Sequence, residues 1–166
     1  MDEILVKRAS DGDKEAFAAL YTRYKDDLYR YAYYKLGDEE DARDAVSSCI
    51  VAAFENIRGL RSCSAFKVWL FRIQYRSCCK LMTEQCERRA RADSEELDRL
   101  AASDNHLSPE LMEAFGVLSA EDRDIVLLSA VAGYNSIEIS TITGLKPSTV
   151  RSRLKRALAK MKQFLE

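Results

Sequence analysis

The chain has 166 residues, a formal net charge of −1 and 47% hydrophobic residues, the profile of an ordinary globular protein of one domain or two small ones. No apolar run approaches the roughly 20 residues that span a bilayer, and Met1-Asp-Glu-Ile-Leu-Val-Lys-Arg8 lacks the apolar core of a secretory signal, which excludes membrane insertion from the reading. Five cysteines among otherwise unremarkable residues point to reduced thiols and a cytoplasmic setting rather than to a disulfide framework.

Taken in chain order, the spacing predicts helices almost throughout. Phe17, Leu20, Tyr21, Tyr24, Leu28 and Tyr31 recur at helical intervals and stop near Leu36-Gly37. Asp38-Glu-Glu-Asp41 opens a second helix with acids where the helix dipole favours them, and its apolar side is Val46, Cys49, Ile50, Ala53 and Ile57. A loop, Arg58-Gly-Leu-Arg-Ser-Cys63, leads to a third helix striped by Phe66, Trp69, Leu70, Ile73 and Leu81. Residues 87–107 are mainly charged or small and read as a linker, into which Leu97 and Leu100 could prolong the helix. Ser108-Pro109-Glu110 starts the next helix, and Ser119-Ala-Glu-Asp122 starts another that runs through Val131 to Gly133. With no sustained strand alternation, the fold class is all-α: a three- or four-helix domain over 1–86, a linker over 87–107, and a smaller helical domain over 108–166.

The last segment is the most specific. Asn135 and Glu138 have capping-box spacing, Ile139 and Ile142 form an apolar side, Gly144 suits the left-handed turn, and Pro147 suits a first helical turn. On a wheel of about 100° per residue, Val150, Leu154, Ala157, Leu158, Met161 and Leu165 share one stripe. Ser148, Ser152, Lys155 and Arg156 lie opposite, with Arg151 and Arg153 on the flanks. This is the layout of a helix-turn-helix whose second helix enters a DNA major groove, short polar residues facing bases and arginines reaching phosphates. The bland alternative is an amphipathic core helix with a solvated basic face.

Charge is segregated along the chain. Residues 2–57 carry 13 acids and 8 bases, residues 58–91 carry 9 bases against 2 acids, residues 92–145 carry 11 acids and 2 bases, and residues 146–166 carry 7 bases against 1 acid. Two basic blocks separated by an acidic one point to two separate contacts with a polyanion.

Gly12-Asp-Lys-Glu-Ala-Phe-Ala-Ala-Leu-Tyr-Thr-Arg-Tyr24, Leu28-Tyr-Arg-Tyr-Ala-Tyr33 and Leu36-Gly-Asp-Glu-Glu-Asp-Ala-Arg-Asp-Ala-Val46 resemble region 2 of extracytoplasmic-function sigma factors. Phe66-Lys-Val-Trp-Leu-Phe-Arg-Ile73 is similar to the later part of that region, and Leu118-Ser-Ala-Glu-Asp-Arg-Asp-Ile-Val-Leu-Leu128 with the helix-turn-helix resembles region 4. The resemblance implies a sigma factor that binds core RNA polymerase, reads the minus-thirty-five and minus-ten promoter elements, and answers to an anti-sigma partner. It implies no cofactor, metal or small-molecule substrate.

Carried onto this chain, the resemblance assigns the minus-thirty-five duplex to Lys146, Ser148, Thr149, Arg151, Ser152, Arg153, Lys155 and Arg156. It assigns the melted minus-ten strand to Arg58, Arg61, Lys67, Arg72 and Arg76, with Phe66, Trp69 and Phe71 as stacking surfaces and core packing as the competing role for Trp69. The polymerase contact falls on Asp41, Asp44, Val46, Ser47 and Ile50.

Several positions depart from the family pattern. Ser47-Ser-Cys-Ile50 stands where a Gln, an acid, a small residue and a Phe are usual; Arg76 replaces a base-recognising Asn; Lys80 and Thr83-Glu-Gln85 replace an Asp and a basic pair. Lys146 takes the cap slot where Ser or Asn is common, a loss of roughly 1 kcal/mol at the helix start. The runner-up is therefore a stand-alone DNA-binding regulator with a degenerate first domain. A third class, a thiol or metal sensor built on Cys78, Cys79 and Cys86 with Cys49 and Cys63 nearby, lacks a CxxC pair and has its sole His, His106, in the linker. Buried inert thiols are the expected role of these cysteines. No nucleophile-base pair, phosphate-cradling loop or metal-spaced carboxylate set points to catalysis.

Overall fold

The computed structural model describes residues 2–91 and 108–166. Leu97, Leu100 and His106 lie outside the described residues. The helices are α1 (Asp2–Ser10), α2 (Lys14–Leu36), α3 (Glu39–Asn56), α4 (Phe66–Arg91), α5 (Pro109–Gly116), α6 (Ala120–Val126), α7 (Ser136–Thr143) and α8 (Pro147–Leu165), and no strand occurs among the described residues. Short 3-10 turns over Ile57–Gly59 and Cys63–Ala65 fill the loop between α3 and α4.

Local chemistry sets most of the boundaries. The Asp13 carboxylate caps α2 by accepting from the Glu15 and Ala16 amides, and Gly37 ends it at φ 72°. Asp38 caps α3 through the Asp41 amide, with Glu39, Glu40 and Asp41 in the first turn as the charge pattern predicts. Two boundaries differ from expectation. α1 is an additional helix that the sequence reading left unassigned, and it packs on α2 through Val6 and Ala9. α4 continues to Arg91 and so takes residues 87–91 out of the expected linker.

The helix from Ala120 reaches Val131, as the sequence predicts, but widens into a π turn over Leu127–Val131. There Ala132 N–H donates to the Leu127 carbonyl at 3.1 Å, a five-residue step. Asp124 through Leu128 are all buried, which a one-sided surface helix does not allow. The reason is its position, with α8 and α7 packed around it in its own domain and α2 of the first domain against it.

The two domains share one core. Phe71 of α4 sits edge-on to Tyr31 of α2 (ring centroids 6.3 Å apart) and to Tyr134 of the second domain (5.2 Å). Tyr34 meets Phe115 at 5.0 Å. At the centre of this junction Lys35 and Asp124 are 3% and 4% exposed and form an ion pair at 2.7 Å. Removing one partner of such a pair costs about 3–5 kcal/mol, because the remaining charge stays buried and unpaired.

Candidate nucleic-acid and polymerase interfaces

The second domain ends in the helix-turn-helix that the sequence spells out. The Asn135 side chain accepts from the Glu138 amide, the Glu138 carboxylate accepts from the Asn135 amide, and Gly144 closes α7 at φ 84°. The Ser140 hydroxyl donates to the Leu145 carbonyl at 2.5 Å and ties the turn to α7. α8 then starts at Pro147 after Lys146, whose side chain makes no cap hydrogen bond, in line with the weakened start expected there.

Val150, Ala157 and Met161 seat α8 on the domain, while Ser148, Arg151, Ser152, Lys155 and Arg156 are exposed on its other side and Thr149 is half-buried. The Ser152 hydroxyl donates to the Thr149 carbonyl at 3.2 Å, and Arg156 Nε lies 3.4 Å from the Ser152 carbonyl, so the guanidinium starts along the helix surface. Arg153 differs from its neighbours. It pairs with Glu121 and lies 3.6 Å from Asp122, both in the first turn of α6. This strut joins α8 to α6 and holds the guanidinium within its own domain.

The apolar stripe of α8 is not buried to its end. Leu158 and Leu165 are 45% and 52% exposed. With Leu111, Phe115, Val131 and Met161 they line a groove of about 460 Å³.

In the first domain, Arg58, Arg61, Arg72 and Arg76 are exposed around the α3–α4 loop and along α4. Lys67 is not free. Its ammonium lies 3.5 Å from the Ala132 carbonyl and 5.0 Å from the centre of the Tyr134 ring, and the Tyr134 hydroxyl donates to the Lys67 carbonyl at 3.2 Å. Phe66 and Phe71 are 3% and 0% exposed, which corrects the expectation that they offer stacking surfaces. Phe66 packs inward within the first domain, its ring 5.8 Å from that of Tyr24, whereas Phe71 is closed over by Tyr134 of the second domain, a contact that helical periodicity does not reveal. Trp69 remains half-buried with its ring 5.8 Å from Phe66.

On α3, Asp44 and Ser47 are exposed, Ile50 is half-buried, and the Asp41 carboxylate accepts a hydrogen bond from the Gln85 side chain of α4. Val46, at 7% exposure, belongs to the core and supports this face from beneath.

The cysteines divide by burial. Cys49 and Cys78 are fully buried; burial pushes the Cys49 thiol up to about 12 and raises Cys78 further. Cys63 and Cys79 are half-buried, and Cys86 is exposed, so the expectation of uniformly buried thiols holds for two of the five. No group of three or more His, Cys, Asp or Glu side chains among the described residues is arranged to hold a metal ion.

Comparison with known proteins follows the same two-domain division. Sigma-70 region 2 matches residues 20–85, and Sigma-70, region 4 matches residues 108–161. The RNA polymerase sigma factor SigV of Bacillus subtilis (strain 168) is 28% identical over 151 residues, covering 90% of each chain. The ECF RNA polymerase sigma factor SigM of Mycobacterium tuberculosis (strain ATCC 25618 / H37Rv) is 27% identical over 158 residues, covering 93% of this chain and 79% of that protein. The chain belongs to the extracytoplasmic-function sigma factors.

A sigma factor binds core RNA polymerase and promoter DNA and directs promoter-specific initiation of transcription. The presence of both regions, in order and with continuous packing between them, disfavours the stand-alone regulator. The arrangement of this sigma factor is similar to that of CnrH, solved in complex with the cytosolic domain of CnrY. The TM-score is 0.78 at 27% identity, covering 99% of this chain and 96% of that one.

Proposed function

We propose that this sigma factor divides promoter recognition between its two domains. The exposed side of α8, with Lys146, Ser148, Thr149, Arg151, Ser152, Lys155 and Arg156, meets the minus-thirty-five duplex. Arg153 acts there as a strut to Glu121 that sets the pitch of the reading helix. Arg58, Arg61, Arg72 and Arg76, joined by Lys67 once it is uncovered, hold the displaced minus-ten strand. Asp41, Asp44, Ser47 and Ile50, backed by Val46, dock on core polymerase. Work on promoter DNA places the protein in the cytoplasm, and no catalytic step of its own is assigned.

The observation that carries this reading is the polarity of α8. Its underside is sealed by Val150, Ala157 and Met161, and its outer side presents basic and short polar residues after a turn whose first helix, α7, is capped at both ends. The apolar groove beside Leu111 and Leu158 supports, in addition, an anti-sigma partner that inserts an apolar helix.

Co-purification with core polymerase, followed by transcription from linear promoter DNA, tests the reading. The expected outcome is a stoichiometric complex whose transcription starts at one site and requires both promoter elements. A protein that binds the duplex yet ignores core polymerase would overturn it.

A further inference from the structure

Lys35 and Cys79 stand in a cluster of reactive groups that takes no part in either DNA surface. Lys35 of α2 is 3% exposed, and its ammonium donates to Cys79 Sγ of α4 at 3.3 Å. The same nitrogen meets the Asp124 carboxylate at 2.7 Å and faces the Tyr75 ring at 4.5 Å. The Tyr31 hydroxyl donates to that carboxylate at 2.9 Å. Cys79 is half-buried, so a small solute reaches its sulfur, whereas the amine behind it is sealed from water.

A sulfur beside a cation and partly open to solvent is the setting in which thiols are oxidised. The first product with a peroxide is a sulfenic acid, which persists until a nucleophile meets it. No other thiol of the chain is placed to do so. Cys86 lies about 10 Å further along α4, beyond the roughly 7 Å between Cα atoms that a disulfide bridges. Cys49 donates to the Leu70 carbonyl, more than two turns back along α4. Cys63 precedes the helix altogether, and Cys78 is turned into the core, where burial pushes its thiol up. The nucleophile against Cys79 is the Lys35 nitrogen.

We propose that Lys35 and Cys79 form a peroxide-responsive modification site, closing a covalent Nζ–Sγ bond that staples α2 to α4. In the first step peroxide gives one oxygen to Sγ. The O–O bond breaks, an S–O bond forms, water leaves, and sulfur loses the two electrons that the peroxide gains. In the second, the Lys35 ammonium passes a proton to Asp124 and its freed lone pair attacks Sγ. The S–N bond forms as the S–O bond breaks, and the hydroxyl leaves as water with a second nitrogen proton. Burial raises the Asp124 carboxyl, which favours its taking the proton. Two buried charges become neutral groups, so their desolvation cost is lifted. An external thiol reverses the bond by reducing it to amine and thiol. The site is independent of which surfaces meet DNA.

The full chain is treated with hydrogen peroxide, with and without dimedone to trap sulfenic acid, then alkylated, digested and read by mass spectrometry. The expected product is a joined pair of peptides carrying Lys35 and Cys79, short of two hydrogens and released by dithiothreitol. Lys35→Arg keeps the positive charge but lacks the amine; it is expected to give no joined pair and about fivefold more dimedone adduct on Cys79. Cys86→Ser is expected to form the joined pair as the parent does.

Two results would overturn the proposal. One is dimedone labelling of Cys79 in the parent as high as in Lys35→Arg, with no joined pair. The other is a parent whose Cys79 stays reduced while Cys86 is oxidised. Both are read on the unsubstituted chain, so the outcome does not hang on how a variant folds.

Discussion

Arg151, Arg153 and Arg156 are three arginines within two turns of α8, and the structure gives them different work. Arg151 and Arg156 are exposed on the outer side, whereas Arg153 is tied to Glu121 and Asp122. Such an exposed ion pair contributes about 0.2–1 kcal/mol, so its main effect is orientation. Arg156→Ala is expected to weaken binding of the minus-thirty-five duplex by about 1–3 kcal/mol where it contacts a base, relaxing the preference at that position. Arg151→Ala, losing a phosphate, weakens all sequences alike and lowers the salt slope by about 0.9. Titrations at several salt concentrations separate the two losses; equal affinity in parent and both variants would remove α8 as the reading helix.

At the scale of the element, α4 carries the clearest division of labour. Phe66, Leu70, Phe71, Gln74 and Cys78 are buried along one side, while Arg72 and Arg76 project from the other and Arg61 flanks them from the loop. Replacing Arg61 and Arg76 together by Ala is expected to spare duplex binding by the second domain and to abolish the open complex. Permanganate reactivity of unpaired thymines near the start site reports this, and equal reactivity in variant and parent would make the basic block ordinary solvated surface.

Which elements the sequence discloses depends on how local their causes are. Asn135, Glu138, Gly144 and Pro147 act within a few residues of themselves, so the helix-turn-helix could be read position by position. Asp38 and Gly37 gave away the α2–α3 turn for the same reason. Lys35, Lys67 and Asp124 could not be read this way. Each looks like a solvated surface charge in its own helix, yet Lys35 and Asp124 are buried against each other across the domains and Lys67 is half-buried beside Ala132. Phe71 is hidden in the same way, by Tyr134 of the other domain, and α1 escapes because nine residues with a single Val–Ala contact side carry little periodicity.

At the scale of the whole molecule, Asp124, Phe115 and Tyr134 make the second domain lean on the first, since each meets a partner there. Produced as a separate polypeptide, residues 108–166 would present Phe115, Asp124 and Tyr134 to water, and the first domain would present Tyr31, Tyr34 and Phe71. Each half is then expected to be poorly soluble and prone to self-association. Mixed in equal amounts, the halves should complement one another as a one-to-one heterodimer, visible by analytical ultracentrifugation. The molecule is thus two readers of DNA that serve as each other's solubility cover, and every excursion onto a promoter leaves both faces in need of a substitute.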